Sequence, residues 1–172
     1  MPIIEGATGA PILNAGAPTA GTNEVQTLTI GGTPTAGTFK LTFDGWTTAA
    51  ITWSATNATL LAAINAALDA LPNVGASGIV ATAGTLTAGI GTILLTFSGG
   101  SLPKRAVSLM TATNNLTGTS PTLAIAETTP GVDATGLGAA KGQLLTDTTN
   151  GILYINTGTA LSPTWTKVGT QT

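Results

Sequence analysis

The chain contains no histidine and no cysteine, and only five basic and seven acidic side chains are spread over its 172 residues. Without cysteine there is no disulfide framework and no thiol redox chemistry. The missing histidine also removes the preferred ligands of zinc and copper centres. The carboxylates Glu5, Glu24, Asp44, Asp69, Glu127, Asp133 and Asp147 stand far apart in sequence, so neither a calcium loop nor an acid/base pair is visible. Asp44 precedes Gly45 and Asp147 precedes Asn150-Gly151, positions where aspartate is a turn former. Serine and threonine are plentiful, but no Gly-x-Ser-x-Gly spacing is present, and the single Ser-x-x-Lys spacing, Ser101 to Lys104, is an isolated match. The glycine-rich runs GGTPTAGT and AGTLTAGIGT lack the lysine of a phosphate-binding loop and read as turns. An enzyme, a metal site and a bound cofactor are therefore not expected.

Charge is equally uninformative about polyanions. Lys40, Lys104, Arg105, Lys141 and Lys167 form no stripe and the formal charge is −2, so nucleic acid is not an expected partner. Apolar runs are short and broken by Thr and Gly, too short to span a bilayer, and no membrane partner is expected. The start, MPIIEGATGAPILNAG, has neither the basic nor the continuous apolar region of a secretory signal. Weak self-repulsion favours close association with copies of the chain or with another surface.

Hydrophobic residues nevertheless make up 42% of the chain, and their spacing divides it into three parts. Residues 1–23 show no helix or strand period and read as an extended N-terminal arm, with Ile3, Ile4, Ile12 and Leu13 as candidate docking side chains. Residues 24–132 read as the main β-rich domain. Period-two runs over 24–30, 38–43 and 47–53, separated by Gly31-Gly32 and Asp44-Gly45, predict a three-stranded antiparallel meander. Residues 57–71 place Leu60, Leu61, Ile64, Leu68 and Leu71 at helical spacing, with Thr56 or Asn57 as cap and Pro72 as stop. Further strands are expected at 78–83, 92–97, 106–111 and 122–127. The expected core is Leu28, Ile30, Phe39, Leu41, Phe43, Ile51, Trp53, Leu60, Ile64, Leu68, Ile93, Leu95 and Phe97.

Residues 133–172 read as a linker and a C-terminal three-strand hairpin module. Strands at 143–149 and 152–157 flank Asn150-Gly151, a strong hairpin signal, and 164–168 supplies the third. So small a sheet cannot bury Leu144, Leu145, Leu153, Tyr154, Ile155 and Trp165 alone, which makes these six the candidate self-association residues. The expected fold class is β-rich α+β: an antiparallel β-sandwich-like domain with one amphipathic helix, an N-terminal arm and a C-terminal β-hairpin module. Recurring TAG triplets have unequal spacing and unlike flanks, so they are turns rather than a repeat. Of the tryptophans, Trp53 reads as core, whereas Trp46 beside a turn and Trp165 are candidate stacking platforms for a host-surface glycan.

The stretch from Asn23 to Leu71 resembles a domain that recurs in virion proteins of tailed bacteriophages. The likeness rests on Gln26, Leu28 and Thr29, the Gly32-Thr33-Pro34 turn, Gly37-Thr38-Phe39, Phe43-Asp44-Gly45 with Thr47-Thr48, and an alanine-rich helix ending at Leu71-Pro72. The tail KGQLLTDTTNGILYINTGTALSPTWTKVG is similar to the C-terminal segments of phage head-decoration and fibre-like proteins. This resemblance implies a capsid decoration, or cement, protein on the outer surface of the virion capsid, with the major capsid protein as partner and a homotrimer as the assembled form. In that picture the arm contacts the capsid and residues 143–168 join the copies. A phage tail-tube or tail-fibre subunit, and a carbohydrate-binding or adhesion module, are the alternatives.

Overall fold

The computed structural model describes residues 13–15, 17–136 and 138–170, of which 13–15 are described by their backbone alone. In chain order the elements are β1 (Leu13–Ala15), β2 (Val25–Phe43), β3 (Trp46–Thr47), β4 (Ile51–Thr52), α1 (Asn57–Asp69), β5 (Ile79–Ala83), β6 (Gly91–Phe97), β7 (Thr111–Thr129), β8 (Leu144–Asp147), β9 (Ile152–Asn156) and β10 (Trp165–Lys167). They form two compact units: residues 23–131, and residues 1–22 together with 132–172. The fold is β-rich α+β, built on antiparallel pairing, with a single helix among the described residues.

The larger unit is organised by two 19-residue strands. β2 pairs antiparallel with β7 along nearly its whole length, from Val25↔Thr129 to Thr42↔Thr111. On its other edge the first half of β2 takes β6, which takes β5, while the second half takes β4 and β3. The expected break at Gly31-Gly32 is thus corrected: 24–30 and 38–43 are the two halves of one strand rather than two arms of a meander. The glycines permit a bend instead of a chain reversal. Register shifts fall between Gly31 and Thr33 and between Pro34 and Ala36, and such bulges sharpen strand bending. Gly32 has φ +70, and a Cβ there would sit 2.0 Å from the Ser120 carbonyl oxygen, so no other residue fits.

The sharpness of the bend is visible in one contact. Asn114 Nδ2 donates to the Pro121 carbonyl at 3.0 Å, although seven residues of straight strand extend roughly 23 Å. The ribbon therefore folds back on itself, and the buried faces of its two halves share one core. Leu28 and Ile30 from the first half join Phe39, Leu41 and Phe43 from the second, all at most 1% exposed. The Phe43 ring, on the second half, lies 5.3 Å from Phe97 on β6. This is a sandwich made by bending one ribbon.

Helix α1 buries Leu60, Ile64 and Leu68, one turn apart, in that core. Twelve of the thirteen expected core residues are buried; Trp53 is half-buried and donates its indole N–H to the Gly89 carbonyl at 2.9 Å. The expected capping differs. Thr56 occupies the N-cap without a side-chain hydrogen bond, and the Asn57 amide instead ties down the loop before β6, donating to the Leu86 carbonyl and accepting from the Gly89 amide, both at 2.9 Å. Asn65 docks the helix on the sheet edge: its Oδ1 accepts from the Ala81 amide at 2.8 Å and its Nδ2 donates to the Ala81 carbonyl at 3.0 Å.

The smaller unit is a four-stranded sheet in the order β1-β8-β9-β10. β8, β9 and β10 are antiparallel, while β1 joins β8 in parallel with Leu13 opposite Leu145. Antiparallel bonds between Thr22 and Val132, each amide donating to the other's carbonyl at 2.8 and 3.0 Å, close this unit where the chain leaves it and returns. The expected separation of an N-terminal arm from a C-terminal module is corrected in this respect: residues 13–15 are a strand of the tail's own sheet.

Candidate interaction surfaces

The β8-β9 hairpin is set by its turn chemistry. Asp147 Oδ1 accepts from the Thr149 and Asn150 amides at 3.0 and 3.1 Å, and Oδ2 accepts from Asn150 Nδ2 at 2.8 Å. These bonds satisfy a side chain with no exposed surface. The Asn150 side-chain bond holds the Asp147 carboxyl below the ordinary aspartate value, opposed by burial and reinforced by the Asn150 and Thr149 amides. Asn156 is the second polar centre. Its Nδ2 donates to the Ala139 carbonyl at 2.8 Å, and its Oδ1 accepts from the Gly158 and Thr164 amides at 2.9 Å each.

This hairpin distributes the six candidate self-association residues over two faces. Opposed residues of a ladder share a face and successive residues alternate. Leu144 lies opposite Ile155, and Leu153 opposite Thr146, so Leu144, Leu153 and Ile155 belong to one face. Leu145 and Tyr154 lie on the other face, with Asp147, Asn156 and Trp165. The first group is half-buried and forms a continuous aliphatic strip. Leu145 has no exposed surface and is core; only the other five retain accessible surface. Trp165 is anchored by its indole N–H, which donates to the Thr135 carbonyl at 2.7 Å.

The capsid-contact candidates Ile3, Ile4 and Ile12 lie outside the described residues. Leu13 is the first residue of β1. Among the tryptophans only Trp46, beside the Asp44-Gly45 turn, is exposed, at 50%. Leu109, Val132, Leu161 and Val168 are also exposed.

Buried polar groups outside the tail went unrecognised as structural in the sequence. Glu24 and Gln26 are buried; Glu24 accepts from Gln26 Nε2 at 2.6 Å and from the Val107 amide at 2.7 Å. Gln26 also donates to the Ser108 carbonyl at 2.9 Å and accepts from the Met110 amide at 2.8 Å. Together they clip residues 107–110 to the start of β2. The signal was present: both residues fall in phase with Leu28 and Ile30, on the buried face. Asp69 likewise serves structure, accepting from the Ser77 amide at 2.7 Å. Among the described residues no group of three acidic side chains is placed to hold a metal ion.

Comparison with models of protein families and with curated proteins finds no match for this chain.

Proposed function

We propose that this chain is a bacteriophage capsid decoration protein, which binds the outer surface of the major capsid protein shell and stabilises it, with copies joined as a homotrimer. The observation that carries the reading is the aliphatic strip of Leu144, Leu153 and Ile155 on one face of the tail sheet. Covering it with a second surface would contribute about 25 cal/mol per Å² of apolar area buried. The carboxylates whose contacts are described serve turns and strand junctions rather than a reaction. The sequence resemblance to phage virion proteins supplies the identity of the shell. Modest affinity per copy suffices on a lattice of many sites.

Co-sedimentation of the purified protein with shells of the major capsid protein tests this reading. Saturable binding, weakened by Leu144→Asp with Ile155→Asp, is expected. Failure of the folded protein to pellet with shells contradicts it, and labelling of tails on intact particles points to the tail-tube or tail-fibre alternative.

The exposure of Trp46 favours a second reading, a glycan-binding module in which the indole is a stacking platform. Glycan-array binding that disappears in Trp46→Ala is its expected result, and an array without signal contradicts it.

A further inference from the structure

The two edges of the larger sheet differ, and a single hydrogen bond sets the phase needed to see how. The Phe97 amide donates to the Glu24 carbonyl at 3.0 Å, so Glu24 turns its backbone groups towards β6. By alternation Gln26, Leu28 and Ile30 do the same, and Thr27 and Thr29 face β7. Their partners Ala126 and Ala124 accordingly spend their backbone groups on β2. Leu123, Ile125 and Glu127 direct theirs away from it. Among the described residues no backbone or side-chain group pairs with those outward groups.

Exposed edges of this kind are usually guarded by lysines, prolines, bulges or a covering element. At the β5 edge the Asn65 amide fills that role on both backbone groups of Ala81. One register shift sets Thr128 and Thr129 off from the ladder and another lies beyond Thr122; between them residues 122–127 of β7 pair regularly and contain no lysine, arginine or proline, with Glu127 the single charge. The outer-face side chains there, Ala124 and Ala126, are small and exposed.

We infer that this edge pairs with the same edge of a second copy, antiparallel about a two-fold axis, with Ile125 opposite Ile125. Charge selects the occupant, since a nearly neutral edge offers nothing to a basic or an acidic strand and matches itself. The two-fold register places Leu123 opposite Glu127, so the two carboxylates stand at opposite ends, roughly 13 Å apart along the ladder. Ala124 meets Ala126, small against small. Each outward N–H and C=O of Leu123, Ile125 and Glu127 finds its complement, giving an isologous interface. The pairing uses a surface separate from the tail strip and does not depend on the capsid reading.

A chain without native cysteine allows a direct test. In a hydrogen-bonded antiparallel pair the Cα atoms are about 5.5 Å apart, within disulfide range. Ile125→Cys should give a covalent dimer on mild oxidation, and Thr82→Cys, exposed on β5, should not. Adding Ala124→Lys and Ala126→Lys to Ile125→Cys sets two like-charge pairs across the junction and should lower the dimer yield roughly fivefold to tenfold. Ala124→Lys with Ala126→Glu should restore it. Leu123→Cys mixed with Glu127→Cys should give the heterodimer, which covers the case in which Ile125→Cys does not fold. Folded cysteine variants that remain monomeric on non-reducing gels, or crosslinking indifferent to the lysine pair, would overturn the proposal. Trimerisation through the tail leaves these readouts unchanged.

Discussion

The two units of this chain are held together by different physics. Among the described residues the larger unit contains every large, fully buried aliphatic and aromatic side chain except Leu145, including Phe39, Phe43, Phe97, Leu28, Ile64 and Ile93. Among the described residues of the smaller unit the buried apolar side chains are Ala134, Ala139 and Leu145, and two polar side chains, Asp147 and Asn156, are also buried. Each polar side chain organises several backbone groups. Apolar volume specifies the first unit, whereas hydrogen-bond geometry specifies the second. A sheet of the second kind depends on keeping those polar bonds intact.

Mutations can sharpen or break that contrast. The largest effect is expected from Phe39→Ala, which empties a fully buried site in the larger unit and costs about 3–5 kcal/mol. Calorimetry should show the loss in that unit's transition, and hydrogen exchange in its strands should rise. Next comes Asn156→Ala, which strands the Gly158 and Thr164 amides and the Ala139 carbonyl. At about 1–3 kcal/mol for buried groups left unsatisfied, it should loosen β8 to β10 while exchange in β2 stays unchanged. Equal loosening of both units would break the comparison.

A smaller effect, about 1 kcal/mol, is expected from Asn65→Ala, which frees the Ala81 backbone groups and uncovers the β5 edge. Faster exchange of the Ala81 amide is the readout. Smallest is the pH response of the hairpin turn. The Asp147 carboxyl is held below its ordinary value, so its contribution is present above the unfolded-state value and is lost as pH falls through the folded one. Acid titration followed by exchange in β8 and β9 should show this loss, and Asp147→Asn should remove the pH dependence.

Much of the larger unit was legible because alternation of apolar residues is a direct record of burial. The helix expected at 57–71 and the strands expected at 78–83 and 92–97 correspond to α1, β5 and β6. Two long-range features were not legible. β2 runs through Gly31 to Gly37, a stretch whose glycines read as a hairpin because the bulged ladder that carries the strand through is supplied by β7. β7 itself contains Asn, Gly, Ser and Pro, weak strand formers, and exists as one strand because β2 pairs with it throughout. Asn65 docks on a sheet edge that no local pattern reveals.

The tail shows the converse. Its Asn-Gly turn and flanking strands could be read locally, as could its apolar surplus, but the distribution of that surplus over two faces follows only from register. Leu145 turned inward, and Leu144, Leu153 and Ile155 remained as the strip. β1 joined the tail by parallel pairing, which has no short-range sequence signature.

A side-chain-resolution map of the assembled phage particle tests the central claim most directly. The account predicts density for the bent-ribbon sandwich on the outer surface of the capsid shell, in threefold clusters, with the Leu144, Leu153 and Ile155 strip covered by a neighbouring copy. Density confined to the tail, or a particle lacking this chain, would contradict it.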